Sequence, residues 1–381
     1  MILFSVSDKI IRGSTGSSNM APRVVGIDPG TRSFDIFGLE DEEVFLDESI
    51  HTSEVDRDPE CLVKMLLDNQ PLDAVVGPSG YGVPLKRLSE ITDEDLFYIT
   101  LVKHDDVDLS VLTGLTKVLK RLKMTMLNIY LIPGVIHLPT VPTHRKLNAI
   151  DMGTADKLCC AVLAIYDYSR RHGIPFNEVS LIMVEIGFGF NAGIAIENGR
   201  IVDGIGGSRA GPAFLTCGSL DMEVAYLLGS FSKNMLFTGG LRTIIGDYSL
   251  APEDLPRIIK INEMASIAYE AFIEGIEKMV RALNASVKEP QAIIISGRLS
   301  GISEIYDELE DRLSEIARVE RIIGFKAKAK SAAQGAALIA DGLAGGRSKS
   351  LIDHMKIAEA SGTVLDYVYI GDLRRRFKSM L

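Results

Sequence analysis

The segment from residue 26 to residue 33, Gly-Ile-Asp-Pro-Gly-Thr-Arg-Ser, carries residue types that can bind a phosphate together with a metal ion. The carboxylate of Asp28 follows an apolar run and is a group that would hold Mg²⁺ or its waters. The amide of Gly30 and the hydroxyl of Thr31 come next, and such groups approach phosphate oxygens closely. A tight hairpin turn requires the same Pro-Gly pair, so a purely structural interpretation stays open for this segment taken alone.

A second segment repeats this order of residue types in the other half of the chain. Glu185 is followed by Gly187, Gly189 and Asn191, so an acidic residue, two glycines and a polar side chain again join two apolar runs. Two such loops facing each other would hold the β- and γ-phosphates of a nucleotide between them. The duplicated pair is stronger evidence than either glycine turn alone. It predicts a nucleotide site with Mg²⁺, in which Asp28 is the metal ligand.

Further glycines fit the same ligand. Residues 293–298 form an apolar run that ends in Gly297 and Arg298, and a strand that ends in glycine is suited to lie behind an adenosine. The predicted nucleotide-binding residues are Gly30, Thr31, Arg32, Gly187, Gly189, Asn191, Gly206, Gly207, Gly297 and Arg298.

The elements that must position these residues follow one order in both halves of the chain. In the first half, the hydrophobic pattern predicts three strands, a helix, a strand, a helix and a strand, closed by a helix from Gly153 to Arg171. The second half repeats this order, and Asn198-Gly199 between two of its strands is a strong signal for a two-residue hairpin. Residues 331–343 then predict a helix of small residues that must pack closely against another element.

This internal duplication predicts an α/β protein with two domains that face each other across a cleft, where ligands of such folds bind. We expect a disordered N-terminal arm at 1–21, a first domain at 22–172, a second domain at 173–330, and helices that return to the interdomain region at 331–381. The predicted strands lie at 24–28, 34–39, 43–46, 74–77, 128–132, 180–186, 190–196, 200–202, 292–296 and 319–323, and the predicted helices at 59–69, 108–123, 153–171, 221–228, 257–284, 303–317 and 331–343.

Charge and composition exclude several classes of function. The 381 residues include 51 Asp and Glu against 41 Lys and Arg, a net charge of −10, which is the wrong sign for a protein that binds nucleic-acid backbones. The most apolar stretch, residues 181–196, is interrupted by Glu185 and falls short of the ~18 apolar residues of a membrane span. Four cysteines without metal or disulfide spacing predict reduced thiols in a cytoplasmic protein. We therefore expect a small-molecule partner, with neither nucleic acid nor membrane involved.

The loops resemble, in order, the phosphate, adenosine and connecting motifs of the superfamily that contains actin, heat-shock chaperones and sugar kinases. Residues 185–203 and 213–228 are similar to the corresponding stretches of the butyrate and acetate kinases. From Val24 to Asp341 the chain resembles an archaeal family of uncharacterised proteins described as predicted butyrate kinases. The resemblance implies duplicated ribonuclease H-like domains of the actin-like ATPase type, with Mg-ATP between them. It also implies transfer of the γ-phosphoryl group to a small acceptor, a carboxylate in the acyl kinases.

The sequence departs from the acyl kinases at two cationic positions. Glu185 stands where those kinases have a His before the second glycine loop, and residues 216–218, Thr-Cys-Gly, stand where they have Arg-Ser-Gly. Mg²⁺ and other cations would then have to neutralise the negative charge of the transferring phosphoryl group. The candidates are Arg32, Arg209 and Arg298, and Arg209 would pair with the acceptor or with the phosphoryl group.

Three further positions contribute candidate residues. Asp28 is present where the acyl kinases lack an acid, and the resemblance to sugar kinases implies that it organises Mg²⁺. Residues 77–85 correspond to the loop that lines the acceptor pocket in acyl kinases, so Ser79 and Tyr81 are predicted substrate contacts unless the loop is only a structural turn. Asp151 is a candidate base or second metal ligand and equally a candidate helix N-cap. The predicted catalytic set is Asp28, Asp151, Glu185 and Arg209.

Three functions stay open. The first is a kinase that transfers the γ-phosphoryl group of ATP to a small acceptor such as a short carboxylate. The second is an ATP-binding switch without an acceptor. The third is a nuclease, since residues 26–32 also resemble the start of a Holliday-junction resolvase, although that enzyme lacks a second phosphate loop. A carboxylate is already ionised at neutral pH, so the lack of an obvious base does not distinguish the kinase from the switch. A homodimer is also left open.

Overall fold

The protein is described here by a computed structural model that covers residues 21–30, 32–77, 80–103, 110–230, 232–371 and 373. Apart from residue 21, the arm predicted to be disordered lies outside these residues, and so do Thr31 and Ser79. Within the covered ranges, no helix combines the length and the apolarity needed to cross a membrane.

The first half of the chain folds into a six-stranded sheet with the order β3-β2-β1-β4-β6-β5. The first three strands form the predicted antiparallel meander, and β4 and β6 are added in parallel beside β1. The short β5 was not predicted and pairs antiparallel with β6. The strands are β1 (Arg23–Pro29), β2 (Ser33–Glu40), β3 (Glu43–His51), β4 (Ala74–Val76), β5 (Lys86–Arg87) and β6 (Ile129–Leu131).

The second half folds into a five-stranded sheet with the order β11-β10-β7-β8-β9. Again three strands form an antiparallel meander, and two later strands are added in parallel beside its first strand. The repeated order confirms the internal duplication predicted from the hydrophobic pattern. The strands are β7 (Leu181–Ile186), β8 (Asn191–Glu197), β9 (Arg200–Ile205), β10 (Ala292–Ser296) and β11 (Arg318–Arg321).

Helices connect the parallel strands and cover both sheets. Two of them, α6 and α12, are rich in small and apolar residues over most of their length. The α-helices in the described ranges are α1 (Thr52–Arg57), α2 (Glu60–Asp68), α3 (Asp93–Thr100), α4 (Ser110–Lys123), α5 (Thr143–Lys146), α6 (Ala155–His172), α7 (Met222–Leu228), α8 (Leu241–Ile245), α9 (Leu255–Ile258), α10 (Glu263–Asn284), α11 (Ser303–Leu313), α12 (Ser331–Leu343) and α13 (Lys349–His354).

The apolar cores show how the layers are arranged. Successive residues of a strand point to opposite faces of the sheet, so Val24 of β1 packs with α6 and α12 while Val25 packs with α2 and α4. In the second sheet, Leu181 of β7 likewise joins the core of α6 and α12, while Ile182 packs with α10 and α11. Helices α6 and α12 therefore lie between the two sheets.

Close packing of α12 requires glycine at two positions. A Cβ on Gly335 would lie 1.9 Å from the carbonyl oxygen of Cys159 on α6. A Cβ on Gly26 of β1 would lie 2.2 Å from the carbonyl oxygen of Ala333 on α12. These distances are too short for any side chain, so the prediction that this small-residue helix packs closely is confirmed.

The long helix predicted over 257–284 is divided in the structure. Helix α9 ends at Ile258, and α10 begins only at Glu263. Between them, Asn262 has an extended backbone, and its side chain accepts a hydrogen bond from the amide of Ala265 at 2.9 Å. A side-chain cap of this kind satisfies an amide of the first turn and fixes the helix start.

Candidate functional site

A cleft of about 660 Å³ opens between the two sheets at the ends of β1 and β7. The turn at residues 30–33 enters it from one side and the turn at residues 187–190 from the other; these are named the first loop and the second loop. The end of β10 and the N-terminal ends of α6 and α12 complete the walls. The predicted site residues on the lining are Asp28, Gly30, Arg32, Tyr81, Asp151, Glu185, Gly187, Gly189, Gly207, Gly297 and Arg298.

The two loops are closed by an equivalent backbone hydrogen bond. The amide of Gly30 donates a hydrogen bond to the carbonyl oxygen of Ser33 at 2.9 Å, and the amide of Gly187 donates one to the carbonyl oxygen of Phe190 at 2.9 Å. In each case the bond joins the first and fourth residues of the loop between two antiparallel strands. The loops predicted from their residue types are therefore structural equivalents that face one cleft.

Asp28 and Glu185 also correspond, since each lies two residues before the glycine of its loop. Burial raises the pKa of Asp28 to about 7, with Lys330 opposing the shift and the carboxylates of Asp156 and Asp35 adding to it. The side chain of Asp28 is only 7% exposed. A buried carboxylate that lacks enough positive charge around it is suited to receive a divalent cation.

Lys330, the residue before α12, reaches the first loop. Its Nζ lies 2.6 Å from Oδ2 of Asp35 and donates to the hydroxyl of Ser33 at 2.7 Å. The Ser33 hydroxyl in turn donates to Oδ2 of Asp35 at 2.9 Å. A Cβ on Gly30 would lie 2.9 Å from the same Nζ, so the ammonium group lies directly beside the loop backbone.

Lys157, the third residue of α6, reaches the second loop. Its ammonium group lies 2.6 Å from Oδ2 of Asp156 and also pairs with the carboxylate of Glu185. Burial alone would lower the pKa of Lys157, but these two carboxylates raise it well above its usual value. Burial also works against ionisation of Asp156, yet Lys157 and the hydroxyl of Thr154 hold its pKa below the usual value. Lys157 therefore links the carboxylates of Asp156 and Glu185 on the lining of the cleft.

The end of β10 meets the end of β7 beside the second loop. Gly297 has φ +92°, and a Cβ there would lie 2.5 Å from the carbonyl oxygen of Ile186, so this position requires glycine. The next residue, Arg298, pairs with Glu253 at 2.8 Å. The predicted contact of Gly297 with an adenosine stays a prediction.

The three candidate arginines do not lie together. Arg32 and Arg298 both lie over the ring of Phe188 in the second loop, 5.3 and 5.7 Å from its centroid. Arg209 is exposed and is not among the described residues that line the cleft. Its amide bonds to the carbonyl oxygen of Gly206 at 2.9 Å in the turn after β9. The structure therefore does not bring Arg209 to the cleft, contrary to the prediction.

Asp151 lines the cleft and anchors the segment after β9. Its carboxylate accepts hydrogen bonds from the amides of Gly153 and Ser208, each at 3.1 Å. A Cβ on Gly206 would lie 1.7 Å from Oδ1 of Asp151, so Gly206 backs this carboxylate and is not on the cleft lining. The N-cap of α6 is Thr154, not Asp151.

Asn191 lies behind the second loop. It is 1% exposed, its side-chain amide donates to the carbonyl oxygen of Pro212 at 3.4 Å, and it is not on the cleft lining. The prediction that Asn191 contacts the ligand is therefore not supported, because the alternation of β8 turns its side chain inward.

One end of the cleft is apolar and carries a single tethered lysine among its described lining residues. Burial raises the pKa of Tyr81, and Asp151 adds to the shift, so the phenol stays protonated. Nζ of Lys233 lies 5.0 Å from the centroid of the Tyr81 ring and donates to the carbonyl oxygens of Thr100 and Leu101, the latter at 3.1 Å. This apolar corner consists of Tyr81, Ile99, Phe190, Leu236 and Phe237.

Four functional candidates were missed by the sequence analysis. Lys157 and Asp156 stand in the first turn of an otherwise apolar helix, and Lys330 directly precedes a helix of small residues, so charge at a helix start was an available signal. Lys233 lies in an irregular stretch between α7 and α8, where no periodic pattern points to the cleft.

A family model described as "Protein of unknown function (DUF1464)" matches residues 26–370 of the chain. The chain is also similar to several solved structures. A propionate kinase from Francisella tularensis subsp. tularensis SCHU S4 has a TM-score of 0.60 and 12% identity, over 83% of this chain and 98% of that one. An acetate kinase from Entamoeba histolytica has a TM-score of 0.56 and 14% identity, over 77% of this chain and 86% of that one.

An acetate kinase from Porphyromonas gingivalis is similar as well, with a TM-score of 0.55 and 15% identity, over 83% of this chain and 98% of that one. At these identities the likeness concerns the fold. It confirms the predicted fold class, an α/β protein with duplicated actin-like ATPase domains.

Proposed function

The chain belongs to the DUF1464 family, and we propose that it is a phosphotransferase that transfers the γ-phosphoryl group of Mg-ATP to a small carboxylate. The observation that carries this proposal is the pair of equivalent loops that face each other across one cleft, each preceded by an acidic residue. A single glycine loop is explained by the needs of a tight turn. Two glycine loops in the same cleft allow backbone amides to approach an anion from both sides.

The residues of the cleft fit Mg²⁺. Mg²⁺ is commonly held by one or two carboxylates together with substrate phosphates, rather than by a complete set of protein ligands. Asp28 supplies such a carboxylate on the lining of the cleft, and burial raises its pKa to about 7. When bound, the metal ion would neutralise part of the phosphate charge. Asp28 would hold it, either directly or through its waters.

The nucleotide would lie across both halves of the chain. Gly30 and Arg32 would contact its phosphates from the first loop, and Gly187 and Gly189 from the second. The end of β10 at Gly297 would lie behind the adenosine in this arrangement, because this stretch of backbone lines the cleft. This assignment follows the order of the motifs along the chain and the walls of the cleft.

The apolar corner fits the acceptor. A short aliphatic acid would pack its chain against Phe190 and Phe237, with Tyr81 supplying a hydroxyl donor. One oxygen of the acceptor carboxylate forms a bond to the γ-phosphorus, and the bond from that phosphorus to the bridging oxygen of the β-phosphate breaks. The products are an acyl phosphate and ADP. No proton moves in this step, so the acceptor requires no base.

A second candidate function is an ATP-dependent conformational switch without an acceptor. The observation that favours it is Lys233, which extends from the second half of the chain and binds the carbonyl oxygens at the end of α3 in the first half. A contact of this kind is sensitive to the angle between the two halves. The resemblance to butyrate and acetate kinases favours transfer.

A hydroxamate trap for acyl phosphate distinguishes the two functions. The chain is incubated with Mg-ATP and a panel of C2 to C6 carboxylic acids, and hydroxamate and ADP are measured together. Phosphotransfer predicts that at least one acid gives hydroxamate in proportion to ADP. If no acid gives a signal above the ATPase background while ATP hydrolysis persists, the switch should replace the kinase.

A further inference from the structure

Each of the two helices between the sheets has a lysine near its start. Helix α6 comes after β6 and α5 at the end of the first half, and α12 comes after β11 in the second half. Lys157 is the third residue of α6, and Lys330 directly precedes α12. Both lysines line the cleft. Each of the two helices therefore brings one lysine near its start to the cleft.

Each lysine crosses to the loop of the other half. Lys157, from the first half, pairs with Glu185 at the foot of the second loop. Lys330, from the second half, pairs with Asp35 beside the first loop at 2.6 Å. Each loop therefore holds one ammonium–carboxylate pair to which both halves of the chain contribute.

These pairs occupy the space beside the loop glycines. A Cβ on Gly30 would lie 2.9 Å from Nζ of Lys330, and a Cβ on Gly187 would lie 3.6 Å from Oε1 of Glu185. An anion held between the loops would therefore meet Lys330 on one side and the pair of Lys157 and Glu185 on the other. Lys157 and Glu185 are largely buried, whereas the side chain of Lys330 is 45% exposed. Partly exposed and buried ion pairs both contribute little net stability, so stability alone does not explain these four residues.

We propose that Lys157 and Lys330 hold the terminal phosphate of the bound nucleotide and that Glu185 and Asp35 position the two ammonium groups beforehand. This inference rests on the proposed function and assigns the cations that the sequence lacks at residues 185 and 216–218. Phosphate oxygens and the carboxylates compete for the same ammonium groups. When the nucleotide binds, each lysine would therefore exchange its carboxylate for a phosphate oxygen.

Isothermal titration calorimetry with Mg-ATP and Mg-ADP tests the inference without turnover. Lys157→Gln and Lys330→Gln should each weaken ATP binding by about 10- to 100-fold, the usual value of one charge-assisted hydrogen bond, and ADP binding by less than about 3-fold. Lys157→Arg and Lys330→Arg should recover part of the ATP affinity. Lys349→Gln, which removes an exposed lysine paired with Asp353 on α13, is the matched control and should change neither affinity.

The outcomes separate the inference from the function on which it rests. If the unmodified chain binds neither nucleotide, the proposed function fails and the inference with it. If the chain prefers ATP and both glutamine variants keep that preference, or lose ATP and ADP equally, the lysines do not hold the terminal phosphate and only the inference fails. Should Lys157→Gln not fold because Glu185 is left unpaired, the variant with Lys157→Gln and Glu185→Gln keeps a neutral pair and gives the same readout.

Discussion

Asp28 and Glu185 occupy equivalent positions in the two halves of the fold, yet their surroundings differ. Glu185 is paired with the ammonium group of Lys157. Asp28 is buried, and burial raises its pKa to about 7. We therefore expect the two acids to have different tasks, because Glu185 already pairs with a cation and Asp28 is the proposed ligand of the metal ion. A carboxylate beside a transferring phosphoryl group repels it, so Glu185 can assist only through a bridging cation or water.

The first prediction concerns Asp28 as the metal ligand. Asp28→Asn keeps the shape of the side chain but removes its charge, so Mg-ATP affinity should fall by about 10-fold or more while metal-free ATP affinity changes less than about 2-fold. Calorimetry with and without Mg²⁺ measures both. Asp203→Asn, which changes a carboxylate hydrogen-bonded to Ser286 outside the cleft, is the control. An Asp28→Asn variant with normal Mg-ATP affinity would refute the assignment.

The second prediction concerns the packing of α12 against α6. A Cβ on Gly335 would lie 1.9 Å from the carbonyl oxygen of Cys159. Gly335→Ala should therefore lower the free energy of unfolding by about 2 kcal/mol, since overpacking outweighs the ~1 kcal/mol gain in helix propensity. Urea denaturation measures the change. Gly301→Ala, where a Cβ meets open space, should change stability by less than about 0.5 kcal/mol. Equal stability of the two variants would contradict this packing.

The third prediction is a pH dependence of stability from His137. Burial lowers the pKa of His137 to about 4; the carbonyl oxygen of Gly134 partly opposes this, Lys146 lowers the pKa further and Asp366 raises it. Between pH 6.5 and 4 the unfolded chain takes up a proton that the folded chain does not. The free energy of unfolding therefore decreases as the pH is lowered from 6.5 to 4, by about 3 kcal/mol in total. His137→Asn should flatten this fall in urea titrations across the range. Parallel curves for both proteins would argue against it.

The fourth prediction concerns the contact between the two halves of the chain at Lys233. Its ammonium group donates to the carbonyl oxygens of Thr100 and Leu101. Lys233→Met keeps the apolar stem but removes these bonds, so amide hydrogen exchange over residues 233–237 should accelerate by about 10-fold. Exchange in β10 serves as the internal reference and should not change. Unaltered exchange at 233–237 would show that the contact does not restrain this segment.

The fold could be predicted from the sequence because strands and helices are encoded by the periodic spacing of apolar residues. The two meanders, the parallel strands and helix α12 each follow from runs of apolar residues, and α12 was predicted with its observed bounds, Ser331–Leu343. The start of α10 was not predicted, because the cap at Asn262 depends on one side-chain hydrogen bond and leaves the hydrophobic pattern of residues 257–284 unchanged.

The residues of the cleft could be predicted only where their types and the local sequence pattern both indicate a role in binding. The loops at Gly30 and Gly187 were found from their residue types, and both face the cleft. Lys157 and Lys330 were not found, because each contacts a loop in the other half of the chain and no local pattern encodes that contact. Arg209 was predicted to lie in the cleft because it is close in sequence to the motifs, but in the structure the turn after β9 leaves Arg209 exposed.

A crystal structure of the chain with Mg²⁺ and a non-hydrolysable ATP analogue tests the central claim most directly. The account predicts the triphosphate between the first and second loops, the metal ion at Asp28, and the terminal phosphate in contact with Lys157 and Lys330. A nucleotide bound outside the cleft, or one whose phosphates leave the pairs of Lys157 with Glu185 and of Lys330 with Asp35 intact, would contradict it.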